Sequence, residues 1–174
     1  LDLLPHLVEK SLGAMDGDGS RYRLLETVRE YALARLDESG EGMEARTRHL
    51  EHYVAFGEKA KHAFYGPAQA DMLARLDLER ENILAAHVWA AHEPPGGELG
   101  LRLAYSVGPY WYARGQPDLG RRLNEEALAR PGAHTRSAAR ARALFEAGWQ
   151  CCHLGRYEEA GSRLLVQQAR TCRG

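Results

Sequence analysis

The sequence predicts a mainly α protein, with helical hairpins in a repeating array and one short β-hairpin near the N-terminus. Three observations predict it. Apolar residues recur at intervals of three and four from Met43 onward. The period changes only around Asp16-Gly17-Asp18-Gly19. The last third also matches itself at a displacement of 40 residues, Gly108 and Gly115 falling on Gly148 and Gly155.

Leu1 to Ser11 reads as a helix, because Leu4, Leu7 and Val8 share a face and Pro5 is tolerable near a helix start. SLGAMDGDGSRYRLL then gives two short runs about an Asp/Gly turn, where positive φ is needed, which is the pattern of a β-hairpin. A helix over 26–38 follows from Val28, Tyr31, Ala32, Arg35 and Leu36 and stops at Ser39-Gly40. Leu50, Tyr53, Phe56, Ala60 and Phe64 mark a long helix that Gly66-Pro67 ends. Met72, Leu76, Ile83, Leu84, Val88 and Ala91 mark a second, running to the linker Pro94-Pro95-Gly96-Gly97. Four shorter helices are predicted at roughly 98–114, 117–130, 135–154 and 156–172. The organisation expected is therefore 1–40, 41–96 and 97–174.

In the repeat, Leu103-Ala104 matches Ala143-Leu144, and Gly120, Arg122 and Leu123 meet Gly161, Arg163 and Leu164 after a one-residue slip. Two helical hairpins of this length suggest a solenoid. Gly108 and Gly148 permit close helix approach, while Gly115 and Gly155 permit tight turns. The segment GRYEEA resembles the turn of a tetratricopeptide-like hairpin.

Composition narrows the function. With 23 Lys plus Arg against 24 Asp plus Glu, the net charge is −1, without the basic excess of a free-standing nucleic-acid binder. Cys151, Cys152 and Cys172 are too few for a disulfide scaffold, which points to a reducing, cytoplasmic setting. The nearly apolar run ILAAHVWAA is about half a bilayer span, so no membrane contact is expected. Because the chain opens on Leu1 within an apolar-periodic stretch, it reads as a piece of something longer. Its uncovered apolar faces, at Leu1 to Val8 and Leu164 to Val166, would then favour self-association.

No phosphate loop, nucleophile elbow, C-x-x-C pair or H-E-x-x-H motif occurs, so no catalytic residue, cofactor or metal is expected. Asp16, Asp18 and Ser20 have calcium-loop spacing, but Arg21 and Thr27 stand where Gly and Glu are required. His49 and His52 share a helix face without a third ligand nearby. His87, on an apolar face, reads as a core histidine. Arg121, Arg122, Arg136, Arg140 and Arg142 concentrate positive charge in the last third, as solvated helix faces or as a patch for phosphate. In each hairpin the first helix places an Arg and then aromatic residues on one face. The sets are Arg102, Tyr105, Pro109 and Tyr112, and Arg142, Phe145, Trp149 and His153. These either pack on the adjacent long helix or form a concave interaction surface. The candidate partner-binding residues are Arg102, Tyr105, Tyr112, Arg142, Phe145 and Trp149.

The segments LVEKSL and RYRLLETVREYALARLDESGE resemble the end of the winged-helix region of STAND-type bacterial regulatory ATPases. These are large transcriptional regulators related to the AfsR, SARP and LuxR-like groups. LARLDLERENILAAHVWA, with Asn82 and Trp89, is similar to the helix that follows in that family. WYARGQPDLGRRLNEEALA resembles the first hairpin of its tetratricopeptide-like sensor arm. The resemblance implies a partial winged helix leading into a sensor arm that binds a protein partner or small-molecule inducer and controls an upstream ATPase module. That module is absent from this chain, so the resemblance implies neither ATP hydrolysis nor specific DNA binding here. The alternative is a nucleic-acid-binding module using the wing, with Arg21 and Arg23, and the Arg-rich last third.

Overall fold

The computed structural model describes residues 3–17, 19, 21–92, 96–158 and 160–161. It divides into two units, Leu1–Ala45 and Arg46–Gly174. The fold is mainly α with one N-terminal β-hairpin.

In the first unit, α1 (Leu3–Glu9) leads into strands β1 (Gly13–Met15) and β2 (Tyr22–Leu24), followed by α2 (Glu26–Glu38). The strands pair antiparallel, with Gly13 opposite Leu24, Ala14 opposite Arg23 and Met15 opposite Tyr22. Beyond the paired positions, the Leu25 amide donates to the Leu12 carbonyl at 3.3 Å and the Asp16 amide to the Arg21 carbonyl at 2.9 Å. Gly19, at φ +72°, supplies the turn's left-handed residue. Asp18 and Ser20 of the expected turn lie outside the described residues. Local pairs support α2: Arg29 with Glu26 and Arg35 with Glu38, both at 2.6 Å and both solvent-exposed. Neither α1 nor α2 buries a residue.

The second unit continues α3 (Gly42–Ala63) and adds α4 (Gln69–Trp89), α5 (Gly96–Ser106), α6 (Gly108–Ala113), α7 (Pro117–Ala129) and α8 (Ala138–His153). Its main core joins Leu50, Val54, Leu76, Ile83, Leu103 and Trp111. A second cluster is built from small residues, Ala104, Ala127, Ala133, Ala139 and Ala143 around Leu101. Alanines let α5, α7 and α8 pack closely against one another. Asp77 of α4 ties α6 down, accepting from the Tyr110 hydroxyl at 3.0 Å and from both faces of the Arg114 fork. Burial and that carboxylate push the Tyr110 phenol up to about 12. Tyr53 and Asn82 converge on Glu79, at 2.5 and 2.8 Å, and the Trp89 indole donates to Thr47.

The turns after α6 and α8 are the same structure 40 residues apart. Gly115 and Gly155 take φ +69° and +73°. Their amides donate to Tyr112 and Cys152, and the next amides, of Gln116 and Arg156, reach back to Trp111 and Cys151. This is the Schellman pattern, in which a left-handed residue satisfies two orphan carbonyls. α8 starts on Ser137, whose side chain accepts from the Arg140 amide at 3.2 Å.

The predicted helix over 98–114 is interrupted at Val107 and becomes α5 and α6. Pro109 explains the break, since it has no amide hydrogen to offer the Tyr105 carbonyl one turn earlier. The predicted helix over 156–172 is described only as far as Gly161, and Leu164 to Val166 lie outside the described residues. At the other end, Leu3 and Leu4 are exposed. Among the described residues no helix is long and apolar enough to cross a membrane.

Candidate functional groove

The interruption at Val107 organises the surroundings of α5. With the helix ladder broken, the Ala104 carbonyl accepts from the buried Asn124 amide of α7 at 3.4 Å, and the Tyr105 carbonyl accepts from the Lys61 ammonium of α3 at 3.2 Å. Side chains thereby satisfy acceptors close to the break. Lys61 also lies 3.3 Å from the Glu146 carboxylate of α8 and 3.5 Å from the centre of the Tyr105 ring. Glu146 is 5% exposed. It fits there because residue 108 is glycine: a Cβ at that position would collide with the Glu146 carboxyl group. Gly57 plays the same part for Ser106. Burial pushes the Glu146 carboxyl above its ordinary range, against the opposing pull of Lys61.

Lys61 also lines a groove of about 580 Å³, between α3, the residues just after it, α5 and α8. Glu58, Lys61, His62 and Tyr65 form one wall; Tyr105, Ser106 and Arg142 form the other. Arg102 grips Glu58 through two bonds of 2.8 Å, which holds the Glu58 carboxyl below its ordinary range. The Arg142 guanidinium stands 5.9 Å from the Tyr105 ring. It makes no direct hydrogen bond or ion pair among the described residues, and it adds a longer-range pull on Glu58, which Arg102 already grips.

The six candidate residues divide. Arg102, Tyr105 and Arg142 come together at the groove. Tyr112 and Trp149 cluster with His153 instead, in edge-to-face and tilted contacts with ring centres 3.8–4.8 Å apart. Phe145 is half exposed on α8. Pro109, placed by periodicity on the same face as Tyr105, is buried. Lys61, Glu58 and Glu146 were missed because their partners lie 44 and 85 residues away in sequence. The available signal was Gly108-Pro109 within a helical pattern, which leaves a carbonyl in need of a donor from elsewhere.

The Arg-rich last third is extensively paired. Arg121 holds Asp118 and Glu125 at 2.9 and 2.6 Å, and Arg140 donates to the Leu128 and Ala133 carbonyls. In the hairpin, Arg23 lies 3.6 Å from Asp16. His87 is buried, and its Nε2 lies 2.8 Å from the Arg130 fork and 3.0 Å from Glu126. Burial and Arg130 lower it to about 4. His49 and His52 pack on the Tyr53 ring. Among the described residues, no three His, Cys, Asp or Glu side chains are placed to hold a metal.

The chain is similar to two mycobacterial proteins provisionally named HTH-type transcriptional regulators, one from Mycobacterium bovis and one from Mycobacterium tuberculosis. Each is 40% identical to it over 119 residues. The match takes in 66% of this chain and 13% of each relative, so the chain corresponds to a small part of those proteins. No protein-family model and no solved structure matches it.

Proposed function

We propose that the chain is a non-catalytic input segment of a multidomain, ATP-dependent transcriptional regulator, and that the groove is where its signal enters. The observation that carries this reading is the convergence of α3, α5 and α8 on one cavity lined by Glu58, Lys61, Tyr105 and Arg142, with Lys61 anchored to the buried Glu146. An occupant there touches three elements distant in sequence, so it can bias their relative arrangement. In this reading the N-terminal helix and hairpin belong to a winged helix, and the duplicated turns belong to a tetratricopeptide-like array acting on an ATPase module elsewhere in a cytoplasmic protein. The similarity to the mycobacterial regulators supports that setting. A non-catalytic role is supported by the commitment of Glu146, the buried acid nearest the groove, to Lys61 and Gln150.

The test is a reporter driven by the full-length regulator. Tyr105→Ala with Arg142→Gln should abolish the response to signal while leaving protein abundance unchanged; an unaltered response refutes the groove as the input site. Trp149→Ala alone asks whether the aromatic cluster contributes, with a smaller loss expected. The rival nucleic-acid reading requires steep salt dependence of binding to DNA or RNA. The pairing of Arg121, Arg140 and Arg23 within the chain gives it little support.

A further inference from the structure

We propose that the groove selects a small organic monoanion, an aromatic carboxylate, with Arg142 as the group that recognises its charge. The inference rests on the groove being an input site and adds the chemistry of what enters. Charge pairing is the first argument. Arg102 neutralises Glu58 and Lys61 neutralises Glu146. The Arg142 guanidinium, across the groove from His62, attracts Glu58 only at longer range and makes no direct hydrogen bond or ion pair among the described residues. One net positive charge suits one negative charge. A guanidinium offers a planar fork that matches a carboxylate in two-point contact. A phosphate carrying close to two charges would place more negative charge against the Glu58 carboxylate than a monoanion does.

The hydrogen-bond inventory agrees. An ammonium has three N–H donors; Lys61 spends two, on the Tyr105 carbonyl and on Glu146, and keeps one. The walls supply the rest of the ligand's description. Tyr65, 80% exposed, and Tyr105 present ring surface to the cavity, which favours a flat apolar body. A volume of about 580 Å³ is in the range of small-molecule sites. The Lys61 ammonium and the Arg142 guanidinium both lie near the Tyr105 ring, 3.5 and 5.9 Å from its centre. A cationic ligand would meet like charge there.

The experiment uses the 174-residue chain and three probes: 2-naphthoate, its neutral isostere naphthalene-2-carboxamide, and phenyl phosphate. Amide shifts locate binding, and calorimetry measures it. Naphthoate should saturably shift the amides of Lys61, His62, Tyr105 and Arg142, and bind at least about tenfold more tightly than the other two probes. Arg142→Gln should remove that preference without changing the melting temperature. Equal affinity for the carboxamide, tighter binding of phenyl phosphate, unchanged affinity in Arg142→Gln, or no saturable shift at millimolar naphthoate would each overturn the proposal. Failure of the input-site reading is separate: it shows in the reporter, where the groove substitutions leave the response intact whatever the probes do.

Discussion

The two units of this chain use apolar residues in opposite ways. In the first, Leu3, Leu24, Leu25 and Tyr31 are exposed, Tyr31 by 62%, and the elements are held by ladder bonds and by ion pairs between residues three apart. In the second, Trp111, Leu103, Ala86 and Ala127 are sealed from water, and polar groups from α3, α7 and α8 complete each other across long sequence distances. Regular secondary structure therefore says little about where stability lies. A helix that buries nothing is held by local terms worth tenths of a kcal/mol, whereas tertiary burial supplies several.

The largest expected effect breaks the second unit. Trp111→Ala should cost about 3–5 kcal/mol in urea unfolding followed by tryptophan fluorescence, and a loss below about 1 kcal/mol would contradict the core described for Trp111. Glu146→Ala strands the Lys61 ammonium and should cost about 3 kcal/mol, whereas the double replacement Lys61→Met with Glu146→Leu should recover most of it. If the double variant were as unstable as the single one, the packing around Gly108 would matter more than the charge. Acid should act next. His87 titrates near 4 when folded, against an ordinary 6.5, so between those values the unfolded chain takes up a proton that the folded one refuses. Stability is intact above pH 6.5 and should fall by on the order of 2 kcal/mol as the pH drops toward 4. In His87→Gln that slope should flatten, and an unchanged slope would assign it to the carboxylates. Smallest of all, Leu24→Ala should leave the tryptophan-monitored transition within about 0.5 kcal/mol of the parent, since Trp89, Trp111 and Trp149 all lie in the second unit. A shift above 1 kcal/mol would show that the units unfold together.

Periodicity reached α3 and α4 because their apolar stripes are long, and the Asp/Gly turn disclosed the hairpin because a change from helical to strand period is visible locally. Arg102 and Tyr105, three residues apart, do share a face of α5, where Arg102 bonds Glu58 and Tyr105 lines the groove. Tyr112 does not continue that face, because the helix expected over 98–114 is interrupted at Val107. Lys61 and Glu146 carry no local signature. Their pairing depends on how closely α8 approaches α6, and Gly108 expresses that only as the absence of a side chain. His87 was readable as a core histidine, but not as one whose ring Arg130 would hold neutral.

The matched turns at Gly115 and Gly155 also bear on stoichiometry. Forty residues on from Pro109 stands Trp149, in an unbroken α8. Where the first hairpin frees the Tyr105 carbonyl for Lys61, the second has Trp149 tilted against the His153 ring. The turn recurs, while the side chains around it do not. Titration of these two hairpins should therefore end at one ligand per chain.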